Sequence, residues 1–381
     1  MNPKKRKLIV GITIPGSIAL LKGQMRYFTD KGYDTYLLTQ HDERSLKYCE
    51  NEGCKNLEVN IARNISLRQD IKTLFSLVRV LKKERPDIIN FGTPKMGFLG
   101  LVAAWLCRVP NRIYTCRGFR YEHEVGKTKI ILKACEWIAG RCAHRIICVS
   151  PSIKVLGIKD GLFKEKKCIV INKGSSNGVS PELFNPSSIS EEEKNNLKVR
   201  YGMTGCFIYG FLGRISEGKG IIELFEAFKK IYQKDSNTRL FVVGPWEEDH
   251  ISDKTLFKRM NEHPGVILAG RTSNPALCFS VMDVFALPAR AEGFGNVVVQ
   301  AADMGIPVIG STGTGVCDAV CDGFNGINVQ PKNIEMLEST MLKLKNDNEL
   351  RLKFAKNGPI WGKNFIPELI WEGMDSLYSA R

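Results

Sequence analysis

The chain has 381 residues, 43% of them hydrophobic, and a formal net charge of +15. Its length exceeds the roughly 250–300 residues that one core supports, so two globular domains are expected; with no run of about 18–20 apolar residues, no segment is expected to span a membrane. The charge is one-sided: residues 1–200 carry 36 Lys and Arg against 19 Asp and Glu, and residues 201–381 carry 19 against 21.

The first half alternates strands and helices. Leu8–Ile14 (LIVGITI) is apolar, β-branched and ends at Pro15-Gly16, the pattern of a buried strand. The basic start leads into too short an apolar run for a signal peptide. A helix is predicted over Lys22–Lys31 and a strand over Thr35–Leu38. Over Ser66–Glu84, Leu67, Ile71, Leu74, Phe75, Val78 and Leu81 recur at helical spacing, with Arg and Lys between them, until Pro86 stops the helix. Strands follow at Asp87–Asn90, Arg112–Thr115, Arg145–Val149 and Lys167–Ile171. Residues 184–200 (FNPSSISEEEKNNLKVR) are polar and read as a boundary. A second alternation places strands at Phe207–Leu212, Leu240–Val243, Val266–Leu268, Asp283–Leu287 and Pro307–Ile309. Helices are predicted at Ile221–Gln233 and Val297–Met304, and an aromatic-rich helical tail over Lys363–Ala380. The pattern implies an α/β fold with two parallel sheets and ligands bound beyond the carboxyl ends of the strands.

The basic first half points to a polyanion: nucleic acid, anionic lipid or a phosphorylated substrate, although a basic surface kept for solubility gives the same composition. None of the twelve cysteines forms a C-x-x-C pair, and Cys317 and Cys321 have no His or Cys cluster nearby. They read as reduced core cysteines of a cytosolic protein, with no metal site.

The densest chemistry lies in GFLGRISEGKGIIELFEAF, residues 210–228. A buried strand runs into Gly213-Arg214, and Lys219-Gly220 opens an amphipathic helix. Two cations and a helix N-terminus at one strand end suit a diphosphate; a surface Arg and Lys flanking a helix cap would read the same way. A second loop, Glu292-Gly293-Phe294-Gly295-Asn296-Val297, follows the strand VFALP and leads into a helix that carries Gln300. Its glycines let backbone amides approach a ligand, and its carboxylate can accept from sugar hydroxyls; a turn with a capping Glu is the plainer alternative.

GRISEGKG, followed by Glu292, seven residues and Gln300, resembles the retaining glycosyltransferases of family four, which adopt the GT-B fold. The likeness is strongest to the bacterial branch that builds capsule, O-antigen and lipid-linked oligosaccharides. It extends through PGSIALLKGQMRYFTDKGYDTYLLT, which includes Gly16, and through the T-P-K-x-G loop at Thr93–Gly97. It continues in NKGSSNGVS (172–180), which includes Asn177, and in GPWEED (244–249). The resemblance implies two Rossmann-like domains facing each other across a cleft. The acceptor domain would span 1–190, the nucleotide-sugar domain 200–363, and a last helix, 364–381, would pack back on the first. It implies retaining transfer of an N-acetylhexosamine-type sugar from a UDP-sugar to a polyprenyl-diphosphate-linked glycan, with a soluble acceptor as the alternative, and without a metal or other cofactor. The protein would be cytoplasmic and peripheral to the inner face of an anionic membrane.

By the same resemblance, Arg214 and Lys219 neutralise the departing diphosphate and Glu292 holds donor hydroxyls. Gly16, Gly213, Phe294, Gly295, Asn296, Val297 and Gln300 complete the donor set. Gln300 stands where the family has a ribose-binding glutamate and offers a neutral acceptor instead. Thr93, Lys95, Arg117, Arg120, His123 and Asn177 form the acceptor side. Arg117-Gly118 stands where many relatives have His-Gly; His123 is a candidate substitute, and Arg117 a candidate grip on an acceptor phosphate. The stretch Gly126–Ala143 mixes Lys127, Lys129, Lys133 and Arg141 with Ile130, Ile131, Leu132, Trp137 and Ile138. It fits a helix resting on an anionic membrane and equally a core helix.

Rival functions fare less well. A nicotinamide dehydrogenase needs a G-x-G-x-x-G turn after a strand, and no such pattern follows one here. A GT-B epimerase needs acid and base groups around the sugar, and the five histidines form no evident cluster. A nucleic-acid binder needs aromatics interleaved with its basic patch or a known module, and neither is present.

Overall fold

The computed structural model describes residues 5–61 and 66–380. The first four residues of the basic start, part of the signal-peptide reading, lie outside the described residues. The chain divides into two compact units, Met1–Gly178 with Pro367–Arg381, and Val179–Ile366.

The first unit is built on β1 (Lys7–Gly11), α1 (Gln24–Asp30), β2 (Asp34–Thr39), α2 (Glu43–Glu52), β3 (Lys55–Glu58), α3 (Leu67–Glu84) and β4 (Ile88–Gly92). It continues through α4 (Pro94–Leu106), β5 (Asn111–Cys116), α5 (Gly126–Cys142), β6 (Arg145–Cys148), α6 (Pro151–Lys159) and β7 (Cys168–Ile169). The seven strands pair in parallel in the order β3-β2-β1-β4-β5-β6-β7. Alternation along each strand sends Leu8 and Val10 into one apolar layer and Ile9 into the other. The second unit holds α7 (Glu191–Arg200), β8 (Phe207–Leu212), α8 (Ile221–Lys234), β9 (Thr238–Val243), α9 (Leu256–Asn261), β10 (Val266–Gly270), α10 (Pro275–Ser280) and β11 (Val284–Ala286). Then come α11 (Asn296–Asp303), β12 (Val308–Ser311), α12 (Val316–Ala319), β13 (Gly326–Val329), α13 (Ile334–Asn346) and α14 (Asn348–Gly362). Its six parallel strands run β10-β9-β8-β11-β12-β13.

The last helix, α15 (Pro367–Ser379), belongs to the first unit. Its Ile370, Trp371, Met374 and Tyr378 join the layer formed by α1, α2 and one sheet face. Asn90 donates to the Tyr378 hydroxyl at 2.7 Å and accepts from Thr115 at 2.6 Å. Two sequence expectations change. The polar stretch 184–200 contains α7, held by a reciprocal capping box between Ser190 and Glu193. The strand expected over Lys167–Ile171 is only Cys168–Ile169. Helix α5 buries Glu136, Ala139, Gly140 and Cys142, packs Leu132 and Ile138 against the core and turns Ile130, Ile131 and Trp137 outward.

Glu136 is 6% exposed, accepts from the Tyr114 hydroxyl at 2.8 Å and is pushed up to about 7 by burial. The fold therefore keeps a proton that the unfolded chain releases near its ordinary value of 4.5. Stability is full below that value and is lost as pH rises through about 7. Glu136→Gln keeps the Tyr114 hydrogen bond without the charge. It should stabilise the first unit above pH 8 by about 2–3 kcal/mol and leave it nearly unchanged at pH 4. Calorimetry at the two pH values checks this; a lower melting temperature at pH 8 would refute it.

Candidate active site

At the carboxyl end of β8 the chain turns on Gly213 (φ 151°), whose amide donates to Val243 at 2.9 Å. A Cβ on Gly244, the first residue after β9, would lie 1.8 Å from the Gly213 carbonyl oxygen. Only glycine permits this approach. Ile215 then donates to Pro245 at 2.9 Å and Glu247 to Ile215 at 3.0 Å, which locks the two loops together. Arg214, 55% exposed along its side chain, reaches Glu247 at 2.9 Å. Lys219 ends a short 3-10 turn and is ion-paired with Glu292; both side chains are largely buried.

Gly220 (φ 76°) opens α8, and a Cβ there would lie 2.3 Å from the Pro288 carbonyl oxygen. Gly295 (φ 79°) opens α11 in the same left-handed conformation. Neither helix has a side-chain cap, whereas Asp42, Ser150, Ser190, Asn274, Asn333 and Asp347 cap other helices of the chain. The positive ends of α8 and α11 therefore lie behind bare glycine backbone at the ends of β8 and β11. Phe294 is buried against Phe365, with ring centroids 5.0 Å apart. Its side chain anchors the loop, leaving only its backbone for a ligand. Val297 and Gln300 are half-buried in the first turns of α11, Gln300 one turn in, beside Asn296.

Arg290 joins the two loops. Its amide donates to Gly218 at 2.9 Å, and its guanidinium reaches Glu217 at 2.8 Å and Glu223 at 3.0 Å. Burial works against its charge, but Glu223 and Glu217 outweigh it and raise the Arg290 pKa. Glu217 also accepts from Ser252 at 2.5 Å, and this bond together with Arg290 lowers the Glu217 pKa. The loop after β12 supports the rest: Glu292 donates through its amide to Thr314 at 2.8 Å, and Gly315 packs against the Glu292 and Gly293 carbonyls.

In the first unit, Thr93 follows β4 with φ 74°, a strained conformation for a β-branched residue. Its hydroxyl accepts from the Thr13 amide at 3.0 Å and pairs with the Thr13 hydroxyl at 2.7 Å, coupling the ends of β1 and β4. Lys95 is bound to Asp70 at 2.6 Å. Arg117, just past β5, lies on Gly92 and donates from Nε to Ser176 at 2.7 Å. Among the described residues no carboxylate pairs with it, and burial lowers it only to about 10, so it stays charged at neutral pH. Arg120 is exposed and reaches Glu124 at 3.5 Å; His123 is exposed in the same short turn. Asn177 uses its whole amide as a brace, donating to Lys22 at 2.8 Å and accepting from Trp371 at 2.8 Å. Gly16 is exposed, with only Ile14, at 3.7 Å, near a would-be Cβ. No group of three or more His, Cys, Asp or Glu among the described residues could hold a metal ion.

Two family models match consecutive parts of the chain: Glycosyltransferase Family 4 over residues 21–177, and Glycosyl transferases group 1 over residues 195–361. The capsular polysaccharide biosynthesis glycosyltransferase CapM of Staphylococcus aureus is 35% identical over 380 residues, covering 99% of this chain and 98% of its own. The chain belongs to glycosyltransferase family 4. An Escherichia coli relative, UDP-Gal:alpha-D-GlcNAc-diphosphoundecaprenol alpha-1,3-galactosyltransferase, is 29% identical over 317 residues, 80% of this chain and 79% of its own. In fold, this glycosyltransferase resembles Anabaena Alr3699/HepE, solved in complex with UDP, with a TM-score of 0.79 at 19% identity over 97% and 98% of the two chains. Its two parallel sheets are those of the GT-B fold.

The structure brings Lys219 and Glu292 into contact and sets Arg214 against Glu247. Sequence reasoning missed Arg290, Glu247, Ser176 and Thr314. Arg290 carried a signal, two residues ahead of Glu292 in the same glycine-rich loop, and Glu247 and Ser176 lie inside the segments GPWEED and NKGSSNGVS. The glycines of this glycosyltransferase are also separable by experiment. A Cβ on Gly315 (φ 79°) would lie 2.4 Å from the Glu292 carbonyl oxygen. Gly315→Ala should therefore cost about 2–4 kcal/mol of stability, whereas Gly16→Ala should stay within about 0.5 kcal/mol of the parent. Denaturant titration of both variants checks the contrast; equal effects would break it.

Proposed function

We propose that this glycosyltransferase is retaining and metal-independent, and that it moves a UDP-linked sugar of the N-acetylhexosamine type onto a polyprenyl-diphosphate-linked glycan. The process served is the assembly of bacterial surface polysaccharide. The observation that carries this reading is the joining of Lys219, Glu292 and two glycine-headed helices at adjacent strand ends. It is supported by likeness along the whole chain to a capsular glycosyltransferase, and by a relative whose name specifies UDP-Gal and a diphosphoundecaprenol acceptor.

The chemistry asks for charge stabilisation more than for acid or base. As the bond from sugar C1 to the β-phosphate oxygen breaks, that oxygen keeps the electron pair and charge grows on the diphosphate, while the acceptor hydroxyl oxygen bonds C1 on the same face and gives its proton to the departing diphosphate. Arg214, Lys219 and the α8 and α11 N-termini supply fixed positive charge there, the task a metal performs elsewhere. The diphosphate replaces Glu247 and Glu292 as the partner of the two cations, and Glu292 turns to the donor hydroxyls. Amides of Phe294, Gly295 and Asn296, with Gly213 and Val297 alongside, line the donor. Gln300 accepts from the ribose. The second unit thus takes the nucleotide sugar and the first unit the acceptor. Arg117 grips an acceptor phosphate, with Thr93, Lys95, Arg120 and His123 around it. The enzyme works in the cytoplasm, peripherally attached to the inner face of the membrane that holds its acceptor. The deciding assay incubates the protein with UDP-sugars and polyprenyl-diphosphate sugars in excess EDTA and identifies products by mass spectrometry. Absence of any glycosyl transfer overturns the reading, and rescue only by added magnesium or manganese overturns its metal-free part.

Arg214→Ala and Lys219→Ala should each lower kcat by about 10²–10³ with the fold intact. Rates within a few-fold of the parent would remove these residues from the reaction. Arg117→Ala should raise KM for the lipid-linked acceptor at least about tenfold and leave KM for the donor unchanged, as loss of one charge-assisted phosphate contact requires. Steady-state kinetics with each substrate varied separates the two, and a donor effect alone would reassign Arg117.

A further inference from the structure

The ends of β8 and β11 carry more acid than an anion site suits. Around Arg214 and Lys219 stand four carboxylates: Glu247 on Arg214, Glu292 on Lys219, and Glu217 and Glu223, which lie two and four residues from Lys219 along the chain. Glu247 and Glu292 sit on the cations themselves, so an incoming diphosphate can take their place. Glu217 and Glu223 cannot leave in this way, because each has a structural task. Glu217 accepts from the amide and the hydroxyl of Ser252, at 3.2 and 2.5 Å, and so holds the far end of the loop after β9. Glu223 lies in the first turn of α8, where a carboxylate favours the positive helix end, and its side chain is only 7% exposed. Left unpaired, both would repel an anion, and their partial burial leaves little water or salt to screen them.

Arg290 meets both. Its Nη1 donates to Glu217 at 2.8 Å and its Nη2 to Glu223 at 3.0 Å, one arm of the planar fork to each. Among the described residues Arg290 is the only ion-pair partner of Glu223, whose Oε2 is buried without a hydrogen bond. The backbone fixes where the fork stands. The Arg290 amide donates to the Gly218 carbonyl at 2.9 Å, between Glu217 and Lys219, and Ala291 bridges to Thr314 on the other side. In formal charges, three cations against four carboxylates leave this cluster at −1, and two against four would leave it at −2.

We propose that Arg290 is a positioning residue for the donor: by occupying Glu217 and Glu223 it keeps both carboxylates off Lys219 and off the diphosphate, without touching the donor itself. This rests on the donor site proposed above and adds to it a group that acts only through its neighbours. Two acids that brace the loops can stand beside a diphosphate because a third residue cancels them.

The test is isothermal titration of the full chain with UDP and, in parallel, with inorganic diphosphate. Arg290→Gln should weaken both about tenfold or more. Arg290→Gln combined with Glu217→Gln and Glu223→Gln should bind both ligands at least as tightly as the parent. An amide oxygen at 217 can still accept from Ser252, and with no unpaired buried acid this triple variant folds even where the single one melts. Parent-like UDP binding by Arg290→Gln overturns the proposal. So does a triple variant that binds as weakly as the single one, which would mean that Arg290 touches the donor or only braces the loops. If the parent binds inorganic diphosphate and not UDP, the uridine donor falls, and the same variants titrated with diphosphate decide the role of Arg290. Glycosyl transfer to the lipid-linked acceptor, assayed in parallel, tests the reaction separately. Binding that follows the charge pattern without transfer would sink the reaction and keep the positioning role; transfer with no effect of Arg290→Gln on UDP binding would do the reverse.

Discussion

Close approach of backbone to backbone is the constraint on which the second unit's candidate site depends. Gly244 lies against the Gly213 carbonyl, Gly220 against Pro288, and Gly315 against Glu292 and Gly293. Each contact removes the space a side chain would need, and each joins the loop beyond one strand to the loop beyond another. The loops after β8, β9, β11 and β12 thereby become one body. The ionic contacts come second: Arg290 bridges Glu217 and Glu223, and Lys219 meets Glu292, because the backbone has already brought them within reach. In the proposed reaction, cations held in place this way would favour the charge that develops on a leaving group.

The first unit solves its own strand ends with side chains. Thr13 and Thr93 couple β1 to β4, Arg117 ties the end of β5 to Ser176, and Asn177 joins Lys22 to Trp371. Arg117 stands out because it has a hydroxyl where a buried cation ordinarily has an acid. This is the charge proposed above to meet an acceptor phosphate.

Most strands were legible in the sequence because parallel strands buried on both faces read as apolar runs, as β8 and β9 do. Helix α8 was legible through its amphipathic period. Helix α4 was not: KMGFLGLVAAWL is apolar all round, and a helix buried on nearly every side has no period to read. Strand β3, KNLE, lies at the sheet edge and lacks the apolar run a central strand needs. Helix α7 was masked by a composition that reads as linker, although Ser190 and Glu193 spell out its cap. At the site, Arg214, Lys219 and Glu292 were visible because sequence-local glycine patterns mark them. The roles of Glu247, Ser176 and Thr314 were not, since each acts on a residue more than 20 positions away, and only the fold makes such pairs neighbours. The outward turn of the α5 apolar residues was equally hidden: its sequence shows which residues are bulky, while Glu136 and Ala139 decide which side faces in.

The placement of α15 has a consequence for the order in which the molecule is made. Tyr378 fills the layer under Asn90, yet a ribosome reaches it only after the whole of Val179–Ile366 has been synthesised. The nascent first unit therefore waits with one layer incomplete, lacking the Ile370, Trp371, Met374 and Tyr378 that share it with Phe28, Leu37 and Ile88. The second unit, continuous in sequence, can complete itself meanwhile. The segment that emerges first is thus the last to close.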